Sequence, residues 1–246
     1  GERRSMIWLT GNKGLLGREL ASILETRGRE FRGSDAELDI RDIDTLRGFA
    51  RGQGLKWIVN CAGYTGVDKA EDDETEATAV NAKGAGNLAL IAAETDAALI
   101  HISTDYVFDG RKTKAYVETD APHPLNAYGR GKLLGEELIR KNWSRHFIIR
   151  TSWLYGNRGP SFVHSMLRLM NERDRVSVVS DQTGSPTYAA GLAELIAALI
   201  GRDCRAYGVY HYSDEGEISW FDFARRIYRL GRRTGLVKNS CRILPV

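Results

Sequence analysis

The segment from Met6 to Gly17, MIWLTGNKGLLG, decides the fold. Its first residues, Met6 to Thr10, form a short apolar run that predicts a buried β-strand. Apolar residues then recur at helical spacing from Leu15 to Leu24, so a helix is predicted to follow. Gly11, Gly14 and Gly17 stand between the two, where glycines permit a tight turn, a close approach of backbone N–H groups to a pyrophosphate and close helix packing. The segment therefore predicts a first β-α unit that binds a dinucleotide.

The same alternation continues along the chain. Strands are predicted at 30–34, 57–60, 98–103 and 147–154, and helices are predicted from Asp42, over 77–93 and over 127–141. Repeated βαβ units predict an α/β fold, a Rossmann-type, doubly wound parallel sheet with helices on both faces.

After Tyr155 the pattern loosens. Helices are predicted at 162–172, 189–200 and 220–230, with strands at 176–179 and 208–212. We therefore predict a dinucleotide-binding Rossmann domain over residues 1–155 and a smaller C-terminal substrate-binding lobe of mixed α/β structure over 156–246. No Pro- or Ser-rich linker separates the two, so the lobe is expected to be built onto the sheet. The site is then expected in the cleft between them, at the carboxyl ends of the strands.

The charge balance indicates which partners to expect. The 246 residues contain 35 Lys and Arg against 32 Asp and Glu, a formal net charge of +3. This near balance argues against a nucleic-acid partner. The stretch Arg225 to Arg233 is interpreted as a solvated helix face, with attraction of an anionic substrate as the alternative.

Other bulk features concern the cellular setting. The longest apolar run, Ala189 to Ile200, is interrupted by Glu194 and is too short for a bilayer, so no membrane segment is predicted. Residues Gly1 to Ser5 lack an apolar segment behind them, which argues against a secretory signal. The three cysteines are far apart in the sequence, have no histidine partners at zinc spacing, and favour a reducing, cytoplasmic location.

A run of acids at 68–74 raises the question of a metal site. Acids at a helix start are favoured by the helix macrodipole, and we interpret this run as a solvated helix start. No metal is predicted.

The end of the second strand is where an acid that binds the adenosine ribose is expected. Asp35 is the candidate, and Asp39 with Ile40 is a further contact for the adenine. Arg32 and Arg41 stand nearby and are suited to a 2′-phosphate, so NADPH and NADH both stay open as the cofactor.

Small residues end the third strand at Asn60 to Thr65, as expected where backbone passes close to a ribose or nicotinamide. Together, the residues predicted to contact the cofactor are Gly11, Gly14, Leu15, Leu16, Gly17, Asp35, Asp39, Ile40, Ala62, Gly63, Tyr64, Thr65, Ile102, Tyr128 and Lys132.

A hydroxyl-bearing strand end and a Tyr-x-x-x-Lys pair indicate carbonyl chemistry. Tyr128 and Lys132 are four residues apart on a predicted helix, so they share one face. A nearby lysine ammonium lowers the pKa of a phenol and makes it a better proton donor near neutral pH. Thr104 is expected to supply a second hydrogen bond. Trp153, just past a strand end, is expected to place its indole over a sugar or a base; a core tryptophan is the alternative.

These motifs jointly resemble the extended short-chain dehydrogenases and, within them, the family of dTDP-4-dehydrorhamnose reductases. The likeness runs from Met6 to Val246. It is carried by the glycine turn, Leu38-Asp39-Ile40, the loop from Tyr64 to Glu71, Ser103 to Phe108, Tyr128-x-x-x-Lys132, Arg150 to Tyr155, and Asp181 to Thr187.

The resemblance implies reduction of the C4 ketone of dTDP-4-dehydro-L-rhamnose by a nicotinamide cofactor, giving dTDP-L-rhamnose for bacterial surface polysaccharide. It implies Thr104, Tyr128 and Lys132 as the catalytic residues, and Asn81 as their support. The substrate contacts it implies are Thr104, Asp105, Val107, Phe108 and Trp153. Members usually continue beyond the position of Val246, so we expect substrate anchoring to be incomplete in this chain.

Alternatives stay open at this point. Another nucleotide-sugar epimerase, dehydratase or reductase of the same superfamily would share most of these motifs, although Tyr106 after Asp105, in place of Glu, disfavours a dehydratase. A non-catalytic regulatory subunit that binds a dinucleotide is a further alternative, against which the intact set of Thr104, Tyr128, Lys132 and Trp153 argues. The sequence leaves the oligomeric state open, with a homodimer possible.

Overall fold

The computed structural model of the protein describes residues 6–246. Residues 1–5, in which the sequence predicts no secretory signal, lie outside the described residues. The described chain forms twelve strands and nine α-helices. The strands are β1 (Met6–Thr10), β2 (Phe31–Ser34), β3 (Leu55–Asn60), β4 (Ala98–Thr104), β5 (His146–Thr151), β6 (Leu154–Tyr155), β7 (Arg175–Val178), β8 (Thr183–Gly184), β9 (Thr187–Tyr188), β10 (Gly208–His211), β11 (Ile218–Ser219) and β12 (Arg242–Pro245). The α-helices are α1 (Leu15–Thr26), α2 (Ile43–Ala50), α3 (Val67–Asp72), α4 (Glu74–Thr78), α5 (Ala85–Thr95), α6 (Ala127–Asn142), α7 (Phe162–Glu172), α8 (Ala189–Gly201) and α9 (Trp220–Thr234).

Six of the strands form one parallel sheet, in the order β10-β5-β4-β3-β1-β2. The chain moves outward from β1 to β2 and then returns across β1 to β3, so the strand order reverses between β1 and β3. In open α/β sheets, ligands bind outside the carboxyl ends of the strands at such a reversal. The sheet and its helices confirm the predicted α/β, Rossmann-type fold.

Helices cover both faces of this sheet because the strands are apolar on both sides. In β1, Ile7 and Leu9 pack against α1 and α8, whereas Trp8 packs on the opposite face with α2 and α5. The alternation follows from the two-residue period of a strand. Burying one such large apolar side chain contributes about 1.5–3 kcal/mol.

The chain after residue 155 contributes both to the main sheet with its helices and to a separate apolar cluster. Helix α8 packs against α1, and β10 pairs with β5 at the edge of the main sheet. The remainder, built from α7, β7, α9 and β12, forms a separate apolar cluster around Met170 and Ala224. The segment 156–246, predicted as one lobe, thus contributes its middle part, α8 and β10, to the main sheet and the helices on it. Helix α8 packs there because it is apolar on the side that faces α1.

Two predicted elements are interrupted. The helix predicted at 77–93 contains a π-helical segment, Ala79–Gly84, between α4 and α5. The strand predicted at 147–154 ends at Thr151, because the backbone turns into the left-handed region at Trp153, with φ of 49°. Both interruptions lie beside the cavity described below.

Among the helices of residues 6–246, none has both the length and the apolar character that crossing a bilayer requires.

Candidate active site

The glycine turn lies between β1 and α1, at the reversal of strand order. Gly11 has φ of +68°, and a Cβ there would lie 2.5 Å from the Ala62 nitrogen at the end of β3. A Cβ at Gly17 would overlap the Gly11 carbonyl. Glycine is therefore required where the turn packs against β3 and against its own helix. The N-terminus of α1 is capped by no side chain, which leaves its first N–H groups for a phosphate.

Acids and bases meet at the end of β2. The Asp35 carboxylate accepts hydrogen bonds from the Lys13 nitrogen at 2.9 Å and from the Ala36 nitrogen at 2.8 Å. The Arg41 guanidinium pairs with Asp39 at 2.8 Å and holds the pKa of that carboxyl below its usual value. Arg32 lies over the Phe49 ring, 4.3 Å from its centroid, and does not line the cavity. Of the two arginines predicted for a 2′-phosphate, only Arg41 faces the site.

Thr104 and Tyr128 bring two hydroxyls together at the carboxyl end of β4. Tyr128 follows the N-cap of α6, where Asn126 accepts from the Gly129 nitrogen at 2.7 Å. The Thr104 hydroxyl donates to Asp105 Oδ1 at 3.1 Å and accepts from the Tyr106 nitrogen at 3.2 Å. Burial raises the pKa of Asp105 to about 6. The hydroxyl of Thr104 is thus oriented by its own neighbours.

The pKa of Tyr128 moves opposite to the expected direction. Burial raises it to about 12, and this outweighs the lowering by a hydrogen bond with Thr104. Lys132 does not lower the pKa of Tyr128 as expected, because the Lys132 side chain points toward β4. Its Nζ donates to the Ile102 carbonyl at 2.6 Å and lies 3.2 Å from His101 Nε2. Burial also lowers the pKa of Lys132, to about 8.

Trp153 lies on the opposite side of the same cavity. Its ring stacks on Trp220 of α9, with centroids 3.6 Å apart and planes 13° from parallel. Gly184 packs against the other parts of the Trp153 ring so closely that a Cβ there would lie 2.8 Å from the indole. The Trp153 indole, which is predicted to lie over a sugar or a base, is therefore held in place by Gly184 and Trp220.

Asn81, which the resemblance implies as support, fixes the loop after β3. Its Oδ1 accepts from the Tyr64 nitrogen at 2.9 Å, and its Nδ2 donates to the Tyr64 carbonyl at 3.0 Å. Asn81 belongs to the π-helical segment, whose wider turn aims the amide at this loop.

One cavity of about 900 Å³ connects these parts, a volume suited to a large ligand. It brings together every residue predicted to contact the cofactor, as well as Thr104, Asp105 and Trp153. Val107 and Phe108 do not line it: Val107 is fully buried, and Phe108 stacks on Tyr116 at 4.3 Å. A short 3₁₀ turn over 105–107 rotates these two side chains away from the cavity.

The run of acids at 68–74 is exposed, in agreement with a solvated helix start, and three of its members also contact neighbouring elements. Glu71 accepts from the Ala127 nitrogen at the start of α6 at 2.6 Å, and Glu74 pairs with Arg130 at 2.9 Å. Asp73 caps α4. Within residues 6–246, no three His, Cys, Asp or Glu side chains converge as a metal site would require.

Several contributors were not predicted. Lys13, inside the glycine turn, lines the cavity and pairs with Glu37 at 2.9 Å; its position between Gly11 and Gly14 was a usable signal. Glu136 accepts from Ser103 at 2.6 Å and from Arg150 at 2.7 Å, which ties α6 to β4 and β5. Its place one helical turn after Lys132 was the only sequence signal.

The site combines a glycine turn, at the reversal of strand order in a parallel sheet, with Thr104 at the end of β4 and with Tyr128 and Lys132 on α6. This combination defines a dinucleotide-binding protein of the extended short-chain dehydrogenase class. The family model described as the RmlD substrate binding domain matches residues 5–242, and the chain belongs to this family.

Individual relatives agree. The chain is 41% identical over 227 residues to a dTDP-4-dehydrorhamnose reductase of Aggregatibacter actinomycetemcomitans, covering 89% of this chain and 77% of the relative. It is 37% identical over 242 residues to the Shigella flexneri protein of the same name, covering 94% and 79%. A crystal structure of dTDP-4-dehydrorhamnose reductase from Bacillus anthracis, in complex with NADP, superimposes with a TM-score of 0.92 at 39% identity, covering 99% of this chain and 84% of that one.

Proposed function

We propose that the protein reduces the C4 ketone of dTDP-4-dehydro-L-rhamnose to dTDP-L-rhamnose, with NADPH or NADH as the reductant. The observation that carries this proposal is the meeting of the Thr104 and Tyr128 hydroxyls in the same cavity as the glycine turn. One end of that cavity suits a dinucleotide, and the other end has a proton donor for a carbonyl. The names of the relatives supply the particular ketone.

The residues present fit a dinucleotide. The glycine turn and the N-terminus of α1 would hold the pyrophosphate, and Asp35 and Asp39 would contact the adenosine. Lys132 would contact the nicotinamide ribose. When bound, the reduced nicotinamide supplies a hydride to the carbonyl carbon.

The chain itself supplies the proton. Because its pKa is about 12, Tyr128 keeps its proton at neutral pH and can release it to the carbonyl oxygen only as negative charge develops there. The C=O double bond becomes a C–H and an O–H bond, and the phenolate left behind must regain a proton before the next turnover. The Thr104 hydroxyl would turn its proton from Asp105 to the same oxygen and orient it, and Trp153 would cover the sugar from the other side.

Both nicotinamide cofactors belong to the proposal. Arg41 faces the cavity but is paired with Asp39 at 2.8 Å and with Glu76 at 2.6 Å. A 2′-phosphate would have to compete with these carboxylates for the guanidinium, whereas the ribose of NADH would leave the pairs intact. The Bacillus anthracis relative was crystallised with NADP.

A second substrate is favoured by one comparison. The chain is also 40% identical over 226 residues to a dTDP-4-keto-6-deoxy-D-glucose reductase of Streptomyces niveus, covering 91% of this chain and 78% of that relative. Reduction of that C4 ketone would use the same hydroxyls.

The test is to follow the loss of nicotinamide absorbance in the near ultraviolet after adding each of the two 4-keto sugars. NADPH and NADH are supplied separately. Consumption with dTDP-4-dehydro-L-rhamnose is the expected result. Faster consumption with dTDP-4-keto-6-deoxy-D-glucose would reassign the substrate, and tight cofactor binding without consumption of either would overturn the proposed activity.

The proposal extends to a cytoplasmic location, in keeping with three free cysteines, and to a homodimer. Light scattering after size-exclusion chromatography measures the oligomeric state directly.

A further inference from the structure

Two of the bases that line the cavity lie where the adenosine is expected, and both are paired with carboxylates. Lys13, in the glycine turn, pairs with Glu37 at 2.9 Å. Arg41, after β2, pairs with Asp39 and with Glu76 of α4. The 2′-phosphate that distinguishes NADPH from NADH would lie at this end, beside the adenosine ribose. How firmly each base is held therefore bears on the choice between the two cofactors.

All three guanidinium nitrogens of Arg41 face a carboxylate. Its Nε lies 2.9 and 3.0 Å from the two Asp39 oxygens, and its Nη2 lies 2.8 Å from Asp39 Oδ2. Its Nη1 donates to both Glu76 oxygens at 2.6 Å. Asp39 thus takes the side of the guanidinium formed by Nε and Nη2, and Glu76 takes the remaining nitrogen. A phosphate oxygen can reach no guanidinium nitrogen of Arg41 without competing with a carboxylate.

The two carboxylates are held differently. Asp39 lies two residues before Arg41, and its Oδ1 also accepts from the Arg41 backbone nitrogen at 2.9 Å, so the turn after β2 fixes it. Glu76 reaches Arg41 from α4, 35 residues further along the chain. Loss of the Glu76 carboxylate would therefore free Nη1 and leave both the turn and the pair with Asp39 in place.

A guanidinium suits a phosphate because its planar N–H donors match phosphate oxygens in pairs. We propose that Glu76 lowers the preference of this chain for NADPH over NADH: by occupying Nη1 of Arg41 it weakens binding of the 2′-phosphate and leaves binding of NADH unchanged. Glu76 is thus a positioning residue that acts through Arg41. The inference rests on the proposed function only in requiring that a nicotinamide dinucleotide binds in the cavity.

Lys13 is the other base that could take the 2′-phosphate. Its ammonium makes one contact with Glu37, and these two side chains are 63% and 56% exposed, against 33% and 44% for Arg41 and Glu76. An exposed pair with a single contact holds its members weakly. Glu37 therefore restrains Lys13 less than Glu76 restrains Arg41, and variants of the two glutamates distinguish the two bases.

The test measures the dissociation constants of NADP⁺ and NAD⁺ by isothermal titration calorimetry, with the full chain and no sugar. Glu76→Gln keeps the shape of the side chain and removes its charge. The dissociation constant of NADP⁺ should fall about two- to fivefold, the gain expected when a base is freed from an exposed ion pair, and that of NAD⁺ should change less than about 1.5-fold. An unchanged ratio of the two constants would overturn the proposal.

A double variant shows whether Glu76 acts through Arg41. When Glu76→Gln is added to Arg41→Gln, the dissociation constant of NADP⁺ should change less than about 1.5-fold, because the base that Glu76 restrains is gone. A full gain in the double variant would mean that the carboxylate merely repels phosphate, and would overturn the proposal. Glu37→Gln is expected to have a smaller effect than Glu76→Gln. A larger one would assign the 2′-phosphate to Lys13 and would also overturn it.

Glu94→Gln, on α5, is the matched control. The Glu94 carboxylate pairs with Arg47 at 2.7 Å, this pair is about as exposed as that of Arg41 and Glu76, and neither member lines the cavity. Both dissociation constants should stay unchanged. Failure of the chain to reduce a sugar would leave the calorimetric result valid. Absence of binding by both cofactors would overturn the proposed function and this inference together, whereas binding with an unchanged ratio in Glu76→Gln would overturn this inference alone.

Discussion

Helices α6 and α9 both carry many charged residues but use them in opposite ways. On α6, Lys132 and Glu136 are buried against β4 and β5, and each has named partners. On α9, the five arginines between Arg225 and Arg233 all project from the exposed face. A charged residue in a sequence therefore does not by itself indicate function. Its burial and its partners decide whether it contributes to folding stability, to the chemistry of the site or only to solubility. Substitutions on the two helices test that distinction.

The largest effect is expected at Tyr128. Because Tyr128→Phe removes the proton donor, the reduction rate should fall by about 10²–10⁴-fold, while cofactor affinity, measured by quenching of tryptophan fluorescence, stays within about twofold. The matched control is Tyr228→Phe on α9, whose hydroxyl accepts from the Cys241 nitrogen at 3.3 Å and does not line the cavity. Equal rates for the two variants would remove Tyr128 from the chemistry.

Breaking the buried ion pair of α6 should have the next largest effect. Glu136→Gln leaves the Arg150 guanidinium buried with an uncharged partner, which should cost about 3–5 kcal/mol of unfolding free energy in urea titrations. Arg225→Gln, on α9, breaks an exposed pair with Asp222 and should cost less than about 1 kcal/mol. Similar losses in the two variants would contradict the contrast between the helices.

A smaller, pH-dependent effect is expected at Asp105, which lies against the start of α6. Its pKa rises from 3.8 in the unfolded chain to about 6 in the fold, so the folded state binds more protons between these values. Stability should therefore fall as pH rises through this range, by up to about 3 kcal/mol. Asp105→Asn should recover that loss at pH above about 7 and change little near pH 4. A gain of the same size at both pH values would refute the burial argument.

The smallest effect is expected on α9. Arg229→Glu reverses an exposed charge and should change the unfolding free energy by less than about 0.5 kcal/mol. Turnover at physiological ionic strength should also stay unchanged. A clear rise in KM for the nucleotide sugar, removed by added salt, would instead support the alternative that this face attracts the anionic substrate.

The sequence predicts the parts of the site that rest on local rules. The glycine turn follows from spacing at a strand-helix junction, and the shared face of Tyr128 and Lys132 follows from helical periodicity. The parallel sheet follows from the order of the elements. All these residues line the cavity because the carboxyl ends of neighbouring parallel strands meet at one edge.

Other features depend on contacts between distant elements, which spacing does not encode. The amine of Lys132 could turn toward Tyr128 or toward β4, and only the neighbouring His101 and Ile102 decide between the two. Arg32 and Arg41 are equal candidates in the sequence, yet Phe49 holds one of them away from the cavity. The expected direction of the Tyr128 pKa was wrong because burial of the phenol cannot be read from its spacing to a lysine.

The π-helical segment Ala79–Gly84 holds one residue more than a regular helix of the same span needs, and such segments are rare and frequently lie at functional sites. Loss of one residue there would restore ordinary helical geometry and leave the flanking turns intact, but would rotate Asn81 away from the Tyr64 loop. A one-residue deletion in this segment would thus make the helix more regular and at the same time release the loop after β3 that lines the cavity.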